Sequence, residues 1–286
     1  MTALGPGDMR ARHRPFVVLA IAGLRLLAGF CLAWPLAALI STSGVGLRAE
    51  GDRALFEGGG YLLLELVRLQ GGALAAAARG LVPVFVLGLM LTAACNAALL
   101  VALNLRERLA VRAWLAKALD RLPALLVLGA GTALGQLVLV VAGVFATAAV
   151  PEPLAKPVAT SLAQAALWLL VGLLTGALGG FSDVVKASLV RHESRLVDGL
   201  SRAFSCLRHS PIRASFGWFP FALAFVVAAL GAAQLTERLD VSRPGAWRVA
   251  AVLLVHQMVI VVSVAARAAW FARALRLVAT DPQAAT

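Results

Sequence analysis

Apolar residues run along this chain in long uninterrupted stretches, and six of these are long enough to cross a bilayer. They cover approximately Phe16–Ile40, Leu81–Val101, Pro123–Val150, Val158–Phe181, Phe216–Leu235 and Val249–Trp270, whereas a hydrocarbon core of about 30 Å takes roughly 20 helical residues. With no water in that core, every backbone N–H and C=O must be satisfied inside the element or its closed sheet. Only helices or closed barrels meet that condition, and these runs are too long and too continuously apolar for barrel strands. The pattern therefore predicts an all-α polytopic transmembrane helical bundle of about six spans, forming a single integral membrane domain over residues 1–286.

Between the second and third spans the pattern changes period. Leu105, Leu109, Trp114, Leu115, Ala118, Leu119 and Leu122 recur at helical spacing while Arg106, Arg112, Lys117 and Arg121 fill the remainder, which predicts a basic amphipathic helix over 106–121. The same design returns over 186–207, with Leu189, Leu196, Leu200, Ala203, Phe204 and Leu207 set against Arg191, Arg195, Asp198 and Arg202. Helices of this kind lie in the membrane plane, drawn to anionic lipid by about 1 kcal/mol per basic residue near the surface. The octapeptides LAKALDRL from Leu115 and LSRAFSCL from Leu200 also match in apolar, small and basic positions, and each is followed by a proline, Pro123 or Pro211, and a span. Either a parallel internal duplication or two independent amphipathic helices would leave this trace, and an inverted repeat is not indicated. The stretch from Tyr61 to Arg79 is long enough for a seventh span, but Glu65 and Arg68 share one face and Gly71-Gly72 interrupt it. An interfacial or re-entrant helix on the outer face is the expectation there.

Composition agrees with this pattern: 61% of residues are hydrophobic and 14% charged, against about 25% charged in soluble domains, and the mean hydropathy is +0.88. The formal net charge of +12 raises the question of nucleic acid, yet most of the excess flanks spans and no nucleic-acid-binding pattern accompanies it. Placing the amino terminus in the cytoplasm puts 16 lysines and arginines on that side, among them Arg10, Arg12, Arg14, Arg106, Lys117, Lys186, Arg213 and Arg276, against eight outside. Short cytoplasmic loops carry such an excess, so the chain is expected in a cell membrane with both termini cytoplasmic. Trp34, Trp168, Trp218, Trp247 and Trp270 fall mostly toward span ends, as interfacial anchors do.

Arg10, Arg12 and Arg14 before an apolar run longer than a signal-peptide core point to a retained signal anchor. The stretch LLAGFC has Phe30 between its small residues and Cys31, so it is not a lipoprotein box. Cys31, Cys95 and Cys206 lack the short spacing of a zinc or redox pair, and no cofactor is implied. Ionisable and polar groups at membrane depth are candidates for function. Arg25 lies in the first span unless that span starts at Leu26, in which case Arg25 snorkels to the interface, and Arg267 does the same at the end of the sixth. His256 and Gln257 sit near the middle of the sixth span, with no intramembrane carboxylate expected as a partner. Asn96, Gln136 and Gln164 either line a polar cavity with His256 or bond across helix pairs. No carboxylate pair, metal-binding His-Glu-x-x-His, nucleophile elbow or phosphate loop occurs, so an enzyme is not expected.

Gly172, Gly176 and Gly180 place the poorest ordinary helix former on one stripe of the fourth span. A stripe of this kind predicts close approach of another helix, where packing offsets the cost. Six spans with basic interfacial helices leading into some of them resemble the uncharacterised bacterial membrane proteins related to the membrane domain attached to some glycerophosphodiester phosphodiesterases. The resemblance is one of architecture across most of the chain. It carries over no site residue and, with no soluble phosphodiesterase domain present, does not imply that activity. The functional expectation is a non-enzymatic membrane component that organises lipid or packs with a protein partner or a second copy, with anionic lipid at its cytoplasmic face. The alternative is a transporter or channel whose cavity gathers Arg25, Asn96, Gln136 and His256.

Overall fold

A computed structural model of the chain describes residues 14–42, 71–105, 111–148, 157–239 and 246–280. They form α1 (Pro15–Thr42), α2 (Gly71–Asn104), α3 (Val111–Ala148), α4 (Pro157–His192), α5 (Leu196–His209), α6 (Pro211–Phe216), α7 (Phe219–Leu239) and α8 (Ala246–Ala279). Over the described residues each expected span falls on this helical framework, the fifth crossing the turn at Gly217-Trp218, and no β-strand occurs among the described residues. Five stretches, Val86–Asn104, Val111–Ala148, Ser161–His192, Pro211–Leu239 and Ala250–Ala279, are long and apolar enough to cross a membrane, and α1 adds a shorter apolar stretch, Pro15–Cys31. The protein is an all-α, multi-pass membrane protein.

The helices are longer than the apolar runs that define the spans. α3 has 38 residues and α4 has 36, about 57 and 54 Å at the usual rise, well beyond a hydrocarbon core of about 30 Å. Three expectations change as a result. The first basic amphipathic segment is not a separate in-plane helix over its described part: residues 111–121 are the opening turns of α3, which continues through Pro123. A proline removes one N–H and crowds the preceding turn, which kinks a helix without having to end it. The rest of that segment, 106–110, lies outside the described residues. The second amphipathic segment divides, with 186–192 closing α4 and α5 starting afresh at Leu196. Finally, Gly71-Gly72 open α2, so residues 71–79 continue into the second span; 61–70 lie outside the described residues.

Hydroxyl groups along the spans turn back on their own helices. Thr132 reaches Leu128 O at 2.7 Å, Thr147 reaches Gly143 O at 2.7 Å and Thr175 reaches Val171 O at 2.9 Å. Such bonds let a polar side chain sit in an apolar span without an orphan donor.

The described residues group into two compact units. The first holds the start of α1, α2 from Ala93, α3 to α6, α7 to Ala224, and α8 from Ala265. Most of its largest fully buried side chains come from the C-terminal parts of three helices: Leu99, Leu100 and Leu103 of α2, Val184, Val185 and Leu189 of α4, and Trp270, Phe271 and Leu275 of α8. By contrast, the apolar middles of α3 and α4 leave Leu134, Val138, Phe145, Leu162 and Leu169 exposed, the distribution a span presents to lipid. The second unit holds the rest of α1, α2 to Thr92, α7 from Phe225 and α8 to Val264.

Glycines set the packing of α4 within the first unit. On the side toward α3, Gly135 meets Leu178 and Gly143 meets Val171; a methyl group at Gly143 would fall 2.8 Å from Val171 Cγ2. On another side, Gly176 and Gly180 lie directly beneath the indole of Trp218, whose Nε1 donates to Ser215 O at 2.7 Å. Gly172 has open space around it. The same substitution one turn apart therefore separates helix propensity from packing. Gly172→Ala is expected to leave thermal stability in detergent unchanged or raise it, since alanine favours a helix by about 1 kcal/mol. Gly176→Ala should lower it, because the added methyl displaces an aromatic ring at a cost of about 1–3 kcal/mol. Thermal unfolding of the two variants side by side checks the opposite signs.

Candidate functional site

Beyond Phe181 the sequence of α4 turns polar while the helix continues, so side chains that read as part of a loop are held in a packed bundle end. Asp183 and Lys186 are three residues apart on one face of α4. Arg267 and Trp270 have the same spacing on α8. The two pairs meet: Asp183 Oδ1 accepts from Lys186 Nζ at 3.0 Å and from Arg267 Nη2 at 2.8 Å, and Oδ2 accepts from Trp270 Nε1 at 2.9 Å. Asp183 is only 1% exposed and so is Trp270. The Arg267 guanidinium also lies 4.5 Å from the centre of the Phe271 ring, adding a cation–π contact. A buried carboxylate is tolerable only when paired and hydrogen-bonded. Here three donors do so, and two cations against one anion leave the cluster with a net positive charge.

Neighbouring polar groups close the helix ends. The last carbonyls of a helix have no partner within it. Asn104 of α2, itself buried, donates from Nδ2 to Val190 O at 3.3 Å and accepts from Arg191 at 3.1 Å through Oδ1. Arg14 donates to Leu105 O, just past the end of α2, at 2.6 Å; further inside α2, Trp114 Nε1 donates to Ala98 O at 2.8 Å. Thr132 of α3 and Ser182 of α4 bring their hydroxyl oxygens within 2.7 Å.

The turn from α4 to α5 carries the second acidic tie. Glu193 adopts a positive φ of 51°, the left-handed conformation common just past a helix C-terminus and usually taken by glycine. A side chain there costs roughly 1–2 kcal/mol. It reaches Lys117 Nζ at 2.5 Å and lies 3.8 Å from Arg121 Nη2, residues four apart on α3. The hydrogen bond from Lys117 holds the Glu193 carboxyl below its ordinary range; partial burial opposes this and the charges of Lys117 and Arg121 add to it.

The polar residues singled out from the sequence lie elsewhere. Gln136 donates to Thr175 O at 3.0 Å, across the α3–α4 pair, and its amide also faces Gly179. Asn96 of α2 and Gln164 of α4 are half-buried. In the second unit, Arg25 and Gln257 are half-buried, and His256 is exposed with Nδ1 2.8 Å from Val252 O of its own helix. Arg267, expected to snorkel, instead pairs with a carboxylate. Asp183 was missed because it follows the apolar run; the trace it leaves in sequence is the three-residue spacing Asp-x-x-Lys, set against Arg-x-x-Trp. Trp218 and Trp270, expected as interfacial anchors, respectively cover two glycines and donate to Asp183. No protein-family model matches the chain, and no curated protein or solved structure does either.

Asp183→Asn keeps the shape of the side chain but strands two cations. It is expected to destabilise the protein by about 3 kcal/mol, the low end for breaking a buried pair, since Arg267 is 34% exposed. Asp183→Asn/Arg267→Gln should recover part of that loss, and a double-mutant cycle in detergent measures the coupling. Glu193 adds a pH dependence. Because its folded-state pKa is depressed, its contribution is complete above the ordinary carboxylate range and disappears as pH falls through the lowered value. Glu193→Gln should flatten the acid limb of a plot of thermal stability against pH, and salt should weaken the wild-type effect.

Proposed function

We propose that the protein is a non-enzymatic component of a bacterial-type inner membrane that organises anionic lipid at its basic, cytoplasmic end, with both termini on that side. The observation that carries this reading is the surface of that end. Arg112, Arg195, Arg208 and Arg213 are exposed there beside exposed Leu115, Leu119, Val197, Phe204 and Ile212. Asp120, Asp198 and Glu193 are the exposed acids among them; Glu193 is engaged by Lys117 and Arg121, whereas Asp183 is buried between helices. A surface both apolar and basic is matched by the boundary between acyl chains and anionic headgroups. The transporter reading has less support, since Gln136 is occupied in bridging α3 to α4 and His256 in bonding its own helix. The architectural likeness to membrane domains attached to some glycerophosphodiester phosphodiesterases belongs to the same proposal and lends no activity to it.

Spin labels at Val197 and Phe204, on one face of α5, are expected to be more accessible to oxygen than to a water-soluble nickel reagent in nanodiscs, with the reverse at Asp120. Equal access of the nickel reagent to all three positions would make α5 a solvated connector and remove the lipid-organising reading.

A further inference from the structure

α5 buries Gly199, Ala203 and Cys206 and turns a different set of residues outward. Val197, Ser201, Phe204 and Arg208 recur every three or four residues and are all exposed, so they form a single stripe. On one side of that stripe lie Leu196, Leu200 and Leu207; on the other lie Asp198, Ser205 and His209, by the 100° advance of a helix. The stripe is thus the line along which the apolar face of α5 meets its polar face. An open groove of about 450 Å³ lies along it, lined by Ser201, Phe204, Ser205, Arg208 and His209.

The groove has two chemical halves. Phe204 packs its ring 5.0 Å from that of Phe181, the last residue of the apolar run of α4, so this wall continues the lipid-facing surface. The other wall holds hydroxyl groups and a guanidinium. His209 Nδ1 donates to Ser205 O at 2.9 Å, which orients the ring. Arginine and hydroxyl donors are the groups that bind phosphate oxygens, and among the described residues no carboxylate lines the groove.

We propose that this groove is a binding site for the phosphate headgroup of an anionic phospholipid, with Arg208 as its charged contact, Ser201 and Ser205 as hydroxyl donors, and Phe204 against the first acyl carbons. This deepens the lipid-organising reading and rests on it. A lipid fits both halves at once, whereas a soluble phosphate fits only the polar one.

The test is native mass spectrometry of detergent-released protein titrated with phosphatidylglycerol or phosphatidylcholine, on wild type, Arg208→Gln, Phe204→Ala and Arg273→Gln. The last removes the same charge from α8, away from the groove. Support is a preference of wild type for phosphatidylglycerol that Arg208→Gln lowers about fivefold, the equivalent of about 1 kcal/mol for one basic residue, with Arg273→Gln unchanged and Phe204→Ala weakened. Equal losses in Arg208→Gln and Arg273→Gln would overturn the site while leaving diffuse lipid attraction, and with it the broader reading, in place. Displacement of phosphatidylglycerol by millimolar inorganic phosphate, unaffected by Phe204→Ala, would overturn the lipid in favour of a soluble anion. No preference between the two lipids in any variant would remove both the site and the lipid-organising function.

Discussion

A carboxylate removed from water has to be answered by donors, and the packing of the basic end of the first unit follows from how Asp183 is answered. Its three bonds come from its own helix and from α8, so the helix pair can close only in the rotation that brings Arg267 and Trp270 inward. Leaving any donor out would leave either a buried charge or a buried indole N–H unsatisfied, each of which costs more than its bond contributes. The large apolar residues nearby, Val184, Val185, Phe271 and Leu275, then pack in the only arrangement that this polar constraint permits. Hydrophobic burial supplies most of the stabilisation, and the ion cluster selects which of several similar packings is adopted.

Two different solvents act on the same helices. Where α3 and α4 are apolar all round, their association relies on close approach at Gly135, Gly143 and Gly179, since lipid gives apolar side chains little reason to leave it. Toward the C-terminal ends of α2, α4 and α8, burial resembles that of a water-soluble core, with large side chains at or below 1% exposure. Glu193 sits at the edge of this second region. Its strained turn is held by Lys117 and Arg121, which ties the first turns of α3 to the α4–α5 corner and directs α5 back against α4, Gly199 against Leu189.

The spans were legible because hydropathy measures directly what lipid selects. Their lengths were not: the apolar run of the fourth span stops at Phe181, but helix propagation needs only backbone bonds and tertiary packing, and both continue to His192. For the same reason Asp183, Lys186 and Arg191 read as a basic loop although they are helical and partly or wholly buried. In sequence Pro123 reads as a boundary between an amphipathic helix and a span, whereas a proline removes one bond and the remaining turns carry the helix across it. Trp218 and Trp270 show a limit of another kind. A tryptophan near a span end satisfies its N–H equally well at a headgroup, a carbonyl or a carboxylate, and composition alone does not distinguish these. The residues around Asp183 come together from positions more than 80 apart in sequence, and no local pattern announces such a meeting.

The indole of Trp218 over Gly176 and Gly180 also restricts how α4 can move. Rotating α4 by one residue, or sliding it along its axis by one, would bring Ala177 and Phe181 under a ring that has no room for a methyl group. The contact therefore acts as a key that admits a single register, and sliding of α4 past the α6–α7 corner is not a motion open to this protein without first expelling the ring. In evolutionary terms the three positions form one unit of variation: the two glycines are free to become larger only in a lineage where Trp218 has already been replaced by something smaller.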